Sequence, residues 1–286
     1  MNPPKTLFDR KTLLKKRVRA GSKLTESFLM YEVLSEFKER ILDSNRTFSN
    51  KVVITSCSSF WHKHMPKAEI ISDESTLILR PLDYDLVLHT LCLHWANDPV
   101  GQLIQCRRAL KPDGLFLCAL LGGKTLNQLR DSLSIAEAKL YGGLSNRFSP
   151  MAEIREVGNI LQRAGFSLPV ADSIKLDVSY RSIYHLIHDL RNMGETNALS
   201  ERNKGFSKAK LFVEAAKIYQ RKYKSRENGI IASFEIIFLA GWAPDASQPQ
   251  PLTPGSKATP LSDVLSSFEV NTKNKKEKKN NDYKKT

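Results

Sequence analysis

A histidine and a tryptophan stand side by side at His94 and Trp95, directly after a continuously apolar segment of the chain. A histidine can exchange a proton near neutral pH, and a tryptophan ring can lie against an aromatic or cationic group such as a guanidinium. Both also have structural uses, since a histidine can satisfy a backbone carbonyl and a tryptophan can pack beneath the start of the next helix. We predict that both contact substrate; the structural alternative stays open for His94 and is favoured for Trp95.

The metal-ligating residue types are present but do not form a recognisable metal motif. His62 and His64 are two residues apart, yet no Asp or Glu ligand pattern lies beside them, and the sequence has no H-x-D/E motif of an iron facial triad. Four cysteines show no C-x-x-C spacing and lie mostly in apolar runs, namely Cys57, Cys92, Cys106 and Cys118. We therefore predict buried reduced thiols and no metal site.

Two further segments carry groups suited to substrate contact. The run GGKT at 122–125 lacks the spacing of a phosphate-binding P-loop, so we interpret it as a tight strand-to-helix turn that brings Gly122 to the pocket and makes Thr125 a helix cap. Arg191 and Glu195 are four residues apart; they either contact a protein substrate or form a helix-capping ion pair. We predict that Arg191 binds substrate.

Strand patterns predict the sheet that would position these residues. The segment at 84–89 is continuously apolar in its core, which is typical of a central strand covered by helices on both faces. The last strand pattern has one partly polar face, and we expect it near a sheet edge. The predicted strands lie at 51–55, 68–71, 84–89, 115–121, 174–178 and 230–239.

Helical patterns alternate with those strands, which predicts a parallel α/β sheet with right-handed connections. After a short polar start, apolar residues recur every three or four positions from 24 to 41. Cap-and-proline pairs at 98–99 and 149–150 predict two helix starts, and Gly165 is suited to the left-handed position past a helix end. Two consecutive helical patterns without an intervening strand predict a helical insert, at 182–193 and 207–223.

Several motifs together resemble a class I S-adenosylmethionine (SAM) methyltransferase. They are DYDLVL (83–88), LCLHW (91–95), LKPDG (110–114), GGKTL (122–126) and RAGF (163–166). Three further segments extend the resemblance: FDR (8–10), DLRNMGETN (189–197) and 229–242. Taken together, the motifs are similar to the mitochondrial complex I assembly factors of the methyltransferase-like group and their alphaproteobacterial relatives. They are more distantly similar to the malonyl-carrier-protein methyltransferases of biotin synthesis. In the mitochondrial members the resemblance implies arginine hydroxylation of a complex I subunit.

The resemblance is interrupted between residues 50 and 80, where it implies that SAM binds. A class I methyltransferase ends its first strand in a glycine-rich turn and holds the ribose by an acid after the second strand. Here the turn at 54–61 has no glycine, and about thirty residues separate the first strand from the central one, so we expect a helix and a strand to be missing. Asp73 either holds the ribose or is a surface turn residue. The cofactor-binding residues implied are Ser56, Ser58, Asp73, Thr90 and Leu91.

Charge divides the chain unevenly. Residues 1–23 carry +7 and residues 271–286 carry +5 of the total +14, which leaves +2 for residues 24–270. Residues 24–270 therefore do not have the charge typical of a nucleic-acid-binding domain. We interpret the lysine-rich tail as a solvated segment, with weak contact to nucleic acid or another acidic surface as the alternative.

No apolar run reaches the length of a membrane helix, and family-like residues from position 8 leave no room for a transit peptide. We therefore expect a cytoplasmic bacterial protein, with a location peripheral to the inner membrane as an option.

These observations define one fold and two functions. We predict an α/β protein with a Rossmann-like, mostly parallel sheet of the class I methyltransferase type, shortened after the first strand and carrying a helical insert at about 180–228. The expected domains are a basic segment and helix (1–48), the methyltransferase-like domain (49–242) and a disordered Pro- and Lys-rich tail (243–286).

The first expected function is that of a SAM-dependent methyltransferase-like protein, or an arginine hydroxylase, acting on a protein or carrier-bound substrate in complex I assembly. The second is a non-catalytic assembly chaperone. The catalytic residues are unknown.

Overall fold

The computed structural model describes residues 6–226 and 228–249, so most of the predicted C-terminal tail lies outside the described residues. Its strands are β1 (Lys51–Thr55), β2 (Glu69–Ser72), β3 (Tyr84–Thr90), β4 (Leu110–Leu121), β5 (Ser167–Tyr180) and β6 (Ile230–Trp242). Its helices are α1 (Arg10–Ala20), α2 (Phe28–Asp43), α3 (Ser58–His64), α4 (Pro99–Ala109), α5 (Asn127–Tyr141), α6 (Ile154–Arg163), α7 (Ile183–Asn192) and α8 (Ala209–Lys222). None of these helices combines the length and the apolar character needed to cross a membrane.

The six strands form a single sheet in the order β2-β1-β3-β4-β6-β5. Strands β2, β1, β3 and β4 are parallel, while β6 is antiparallel to both β4 and β5. The predicted α/β class and the central place of β3 are confirmed. The order of the chain reverses between β1 and β3, and in open α/β sheets ligands bind at the carboxyl ends of the strands beside such a reversal.

The segment after β1 is short, as expected from the sequence. A seven-residue helix, α3, and a four-residue strand, β2, follow β1, and no helix or strand lies between residues 73 and 83. The connection from β2 to the central strand is therefore a loop. This leaves β2 as one edge of the sheet, with a half-exposed burial pattern.

The polar start of the chain is a helix that the sequence pattern did not predict. Helix α1 spans eleven residues with five basic side chains beyond its first residue, yet it buries Leu13 and Arg17. Asp9 caps it, because its side chain accepts a hydrogen bond from the backbone N–H of Thr12 at 2.9 Å. A short 3-10 helix (Gly21–Glu26) then joins α1 to the predicted helix α2.

The sheet is covered on both faces. Within β3, Leu88 packs into the cluster formed with α2, α3, α5, α7 and α8, whereas Val87 packs into the cluster formed with α4 and α6. The expected start of α4 is confirmed, since the side chain of Asp98 accepts from the N–H of Gly101 at 2.8 Å. Gly165 has φ +84° after the end of α6, as predicted.

Three local expectations are wrong. Thr125 does not cap α5; its hydroxyl donates to the carbonyl of Glu235, and Leu126 precedes the helix with φ +55°. Helix α6 does not begin at residues 149–150, because a capping box of Glu153 and Glu156 sets its start instead. The third is the partly polar face of the last strand, because β6 is buried on both faces along most of its length and the alternating burial belongs to β5. Its expected position near a sheet edge is confirmed, since β5 alone lies outside it in the sheet.

The central strand provides a pH-dependent contribution to stability. His89 is fully buried in β3, and its Nε2 lies 3.1 Å from the amide oxygen of Gln102. Burial lowers the pKa of His89 to about 4. Because the unfolded chain takes up this proton near pH 6.5 and the folded chain does not, we expect the free energy of unfolding to fall between pH 6.5 and about 4, by up to about 3 kcal/mol.

Urea denaturation across this range checks that prediction in the wild type and in His89→Gln, which should lose the slope. The matched control is His62→Gln, an exposed position on α3, which should keep it. An identical slope in all three proteins would contradict the assignment to His89.

Candidate functional site

The residues implied for cofactor binding lie along the carboxyl edge of the sheet. Thr90 ends β3, and its hydroxyl donates to the carbonyl of Ile54 in β1 at 3.1 Å. Leu91 has φ +48°, and its N–H donates to the carbonyl of Ala119 at 2.8 Å. The positions that this edge brings together are Ser56, Ser58, Asp73, Thr90 and Leu91. Their contact with a cofactor stays a prediction.

Asp73, directly after β2, is held by two arginines of α1. Arg17 places its Nη1 at 2.8 Å from each carboxylate oxygen of Asp73, and Arg10 places its own Nη1 at 3.2 Å from one of them. A second nitrogen of Arg10 also donates to the backbone carbonyl of Asp73. Asp73 is 5% exposed and Arg17 is 8% exposed. The alternative of a surface turn residue is therefore wrong.

The arginine side chains stabilise the negative charge of the buried Asp73 carboxylate. Burial alone would raise the pKa of Asp73, but the positive charges and hydrogen bonds of Arg17 and Arg10 outweigh it and hold the pKa below the usual value. Both carboxylate oxygens already accept hydrogen bonds from these arginines, whereas Nη2 of Arg17 is buried with no hydrogen-bond partner. In this conformation the Asp73 side chain is only 7% exposed, so little of the carboxylate is accessible to a ribose.

The four cysteines are buried and free, as predicted. Cys92 donates its thiol hydrogen to the carbonyl of Thr90 at 3.0 Å, and burial raises the pKa of that thiol. A thiol that stays protonated is a poor nucleophile and a poor metal ligand. The described residues contain no group of three or more His, Cys, Asp or Glu side chains placed to hold a metal ion.

His94 and Trp95 meet on one carboxylate, that of Glu195. The side chain of His94 is 4% exposed; its Nδ1 accepts from the N–H of Leu121 at 3.4 Å, and its Nε2 lies 3.2 Å from Oε2 of Glu195. Trp95 donates its indole N–H to the same oxygen at 2.9 Å. The Trp95 ring packs edge-on against Phe8 at 5.1 Å between centroids. Packing of Trp95 thus involves the N-terminal segment.

Glu195 is the residue whose role the sequence did not reveal. The sequence paired it with Arg191, but in the structure Arg191 is exposed and no ion pair joins the two among the described residues. Instead, Glu195 follows the end of α7 and connects the helical insert to the carboxyl edge of β3 and β4. The only sequence signal was the histidine and tryptophan at positions 94 and 95, which need a hydrogen-bond partner when they are buried.

A cavity of about 600 Å³ opens beside this carboxylate, between the sheet edge, α1, α5 and the helical insert. Trp95, Glu195 and Arg191 line it, together with apolar side chains of α5, α7 and α8. Gly122 adjoins the wall residue Leu121, and a Cβ on it would lie 2.6 Å from a carboxylate oxygen of Glu235. The glycine is therefore required by that close approach, and its substrate contact stays a prediction.

This sheet, with its crevice beside the chain reversal and its antiparallel sixth strand, defines a class I methyltransferase fold. A family profile described as a methyltransferase domain matches residues 55–118, from the end of β1 into β4. The zebrafish (Danio rerio) protein named "Arginine-hydroxylase NDUFAF5, mitochondrial" is 32% identical over 287 residues, covering 90% of this chain and 89% of the relative. The chain belongs to the family of that protein, which confirms the resemblance found in the sequence.

Other relatives match over shorter lengths. The Dictyostelium discoideum protein of the same name is 40% identical over 199 residues, which is 69% of this chain and 44% of the relative. A malonyl-[acyl-carrier protein] O-methyltransferase of Xylella fastidiosa is 32% identical over 196 residues, covering 68% of this chain and 62% of that protein. The chain therefore spans from under half to nearly all of the length of the relatives it matches.

The buried ion pair between Arg17 and Asp73 should behave as one unit in stability measurements. Removing one partner leaves the other charge buried and without that partner. We therefore expect Arg17→Met to lower the free energy of unfolding by about 3 kcal/mol, and Asp73→Asn to lower it by a similar amount. The double variant should lose clearly less than the sum. Urea denaturation measures all three, with exposed Lys15→Ala as a near-neutral control on the same helix. Strictly additive losses would refute a coupled pair.

The acceptor role of Glu195 can be separated from its charge. Glu195→Gln keeps a carbonyl oxygen for the N–H groups of His94 and Trp95, whereas Glu195→Ala leaves both without an acceptor. We expect the alanine variant to lose about 1–3 kcal/mol of unfolding free energy and the glutamine variant to lose less. Denaturation followed by tryptophan fluorescence tests this. Equal stability of the two variants would mean that these hydrogen bonds do not matter.

Proposed function

We propose that this chain is a SAM-dependent, methyltransferase-like protein that acts on a protein- or carrier-bound substrate, in connection with the assembly of respiratory complex I. The observation that carries the proposal is the cavity between the carboxyl edge of the sheet and the helical insert, with Glu195 fixed at its wall by His94 and Trp95. The names of the relatives, an arginine hydroxylase and a carrier-protein methyltransferase, support the two substrate types.

The cofactor side of the proposal depends on Asp73. Small side chains at Ser56 and Ser58, the backbone turn at Leu91 and an acid after β2 are a donor set suited to a nucleoside. In the described conformation Arg17 and Arg10 occupy that acid, so the set fits SAM only after α1 has released it. When bound, SAM would supply an electrophilic methyl group.

The chain's own residues would bind, orient and shield the substrate. Methyl transfer needs an aligned nucleophile and exclusion of water rather than a covalent catalyst. Helices α1, α7 and α8 cover the cavity, which excludes part of the solvent from the carboxyl edge. Glu195 accepts hydrogen bonds from His94 and Trp95 and so fixes the ring positions at the wall. His94 is also held from the other side, because its Nδ1 accepts from the N–H of Leu121.

A non-catalytic assembly chaperone is the second candidate, favoured by one specific observation. The acid that should bind ribose is buried in an ion pair within the chain itself, and the turn after β1 has no glycine. A protein that had lost SAM binding would have these features. In either case a cytoplasmic or membrane-peripheral location and a contact of the lysine-rich tail with an acidic surface are part of the proposal.

Calorimetric titration with SAM separates the two functions. We expect weak binding to the wild type and stronger binding to the Arg10→Ala and Arg10→Ala/Arg17→Ala variants, in which Asp73 is progressively freed, reaching a micromolar Kd, or about 8 kcal/mol. Lys15→Ala is the control and should bind like the wild type. Because the single Arg10 variant keeps the buried pair, it guards against misfolding of the double variant. The absence of heat at millimolar SAM in every folded variant would remove the enzyme and leave the chaperone.

A further inference from the structure

The cavity beneath the helical insert has an uneven distribution of charge. One acidic side chain, that of Glu195, lines it, and the oxygen it turns toward His94 and Trp95 already accepts two hydrogen bonds. The cationic side chains that line it number six: Lys16, Arg19, Arg147, Arg191, Arg202 and Lys204. The lining is therefore strongly electropositive.

Half of these cations have no partner for their side chains within residues 6–226 and 228–249. Arg147 pairs with Glu137 and Arg202 with Asp9, while Lys16 donates to a backbone carbonyl. For the remaining three, no side-chain hydrogen bond or ion pair is formed with any residue that the structure describes: Arg19, Arg191 and Lys204. Their positive charge is available to a ligand.

The protonation of Lys16 reflects this excess of charge. Burial first, and then the positive charges of Arg202 and Arg19, lower the pKa of Lys16 to about 8. An anion in the cavity would relieve this repulsion, whereas a cation would add to it. A guanidinium entering here would find Glu195 as its single acidic neighbour among the lining residues.

The apolar part of the lining lies deeper than the cationic part. Arg19, Arg191 and Lys204 are exposed, whereas the apolar floor contains buried side chains from β4, β6, α5 and α7. These floor residues are Leu121, Leu129, Leu133, Leu190 and Phe234. The cavity thus has an apolar floor and a cationic rim, and its volume of about 600 Å³ is that of a small-molecule site.

We propose that this cavity binds an amphiphilic anion, whose aliphatic chain lies on the apolar floor and whose carboxylate or phosphate group lies at Arg19, Arg191 and Lys204. The inference rests on the proposed function in taking this cavity as the substrate site, and it names the substrate class. A free fatty acid and an acyl group carried on a phosphopantetheine arm share this chemistry. A basic peptide does not.

Four probes test the chemistry on the full chain in low salt. Dodecanoate carries both parts of the proposed ligand, octanoate has a shorter chain, acetate has only the anionic group, and dodecyltrimethylammonium has the chain with the opposite charge. Titration below the micellar concentrations should give binding that is tightest for dodecanoate, weaker for octanoate and undetectable for the other two. Dodecanoyl-coenzyme A in a further titration distinguishes the sources, since tighter binding than dodecanoate indicates a carried acyl group and weaker binding a free acid.

Variants locate the binding. Arg191→Ala should weaken dodecanoate binding severalfold and Arg19→Ala/Arg191→Ala by about tenfold or more, with the loss shrinking in high salt. Arg155→Ala, an exposed arginine of α6 away from the cavity, should bind as the wild type does. Arg19 and Arg191 are exposed, so these variants should fold.

The outcomes are independent of SAM. Dodecanoate binding that follows the predicted variants supports the inference even if SAM never binds, whereas SAM binding without dodecanoate binding overturns the inference and leaves the proposed function standing. Binding of dodecyltrimethylammonium or of an arginine-containing peptide in preference to dodecanoate overturns it as well. So does dodecanoate binding that Arg191→Ala and the double variant leave unchanged.

Discussion

The ion pair of Arg17 with Asp73 ties the first helix to the sheet, and the arrangement of the carboxyl edge depends on it. Two charges removed from water repay their desolvation only when geometry and additional hydrogen bonds are good, and here Arg17 contacts both carboxylate oxygens while Arg10 adds a third contact. Helix α1 has a largely cationic surface and little apolar area to bury. Its attachment therefore combines this pair, hydrogen bonds from Lys16 and to Thr12, and the small cluster that Leu13 forms with Phe8 and Trp95.

The same helix also contributes to the cavity. Lys16 and Arg19 line the space beneath the insert, while Arg17, between them in sequence, turns to Asp73. Glu195 provides the opposite connection, from the insert to the strand ends. Residues from the start, the middle and the last third of the domain thus converge on one edge of the sheet, which is the usual way in which an α/β scaffold builds a site from its loops.

The sequence was sufficient to predict the elements with a clear apolar period and failed where burial depends on partners distant in the chain. β1, β3, α4 and the paired helices of the insert follow local patterns of apolar spacing and capping. Helix α1 has no such stripe, because its buried side chain at position 17 is an arginine whose partner is Asp73, 56 residues away. Likewise, the sequence predicts an ion pair of Glu195 with its neighbour Arg191. Its partners in the structure cannot be inferred locally, because the indole and imidazole that contact Glu195 lie 100 and 101 residues earlier. Ser233 and Glu235 predicted a partly polar face for β6, but both are buried against hydrogen-bond partners from other elements.

Neighbouring residues of α1 belong to two different parts of the carboxyl edge. Lys16 and Arg19 line the cavity, while Arg17 is held on Asp73. A displacement of α1 as one body would therefore expose Asp73 and remove two cations from the cavity wall at the same time, so the two regions cannot change independently of each other.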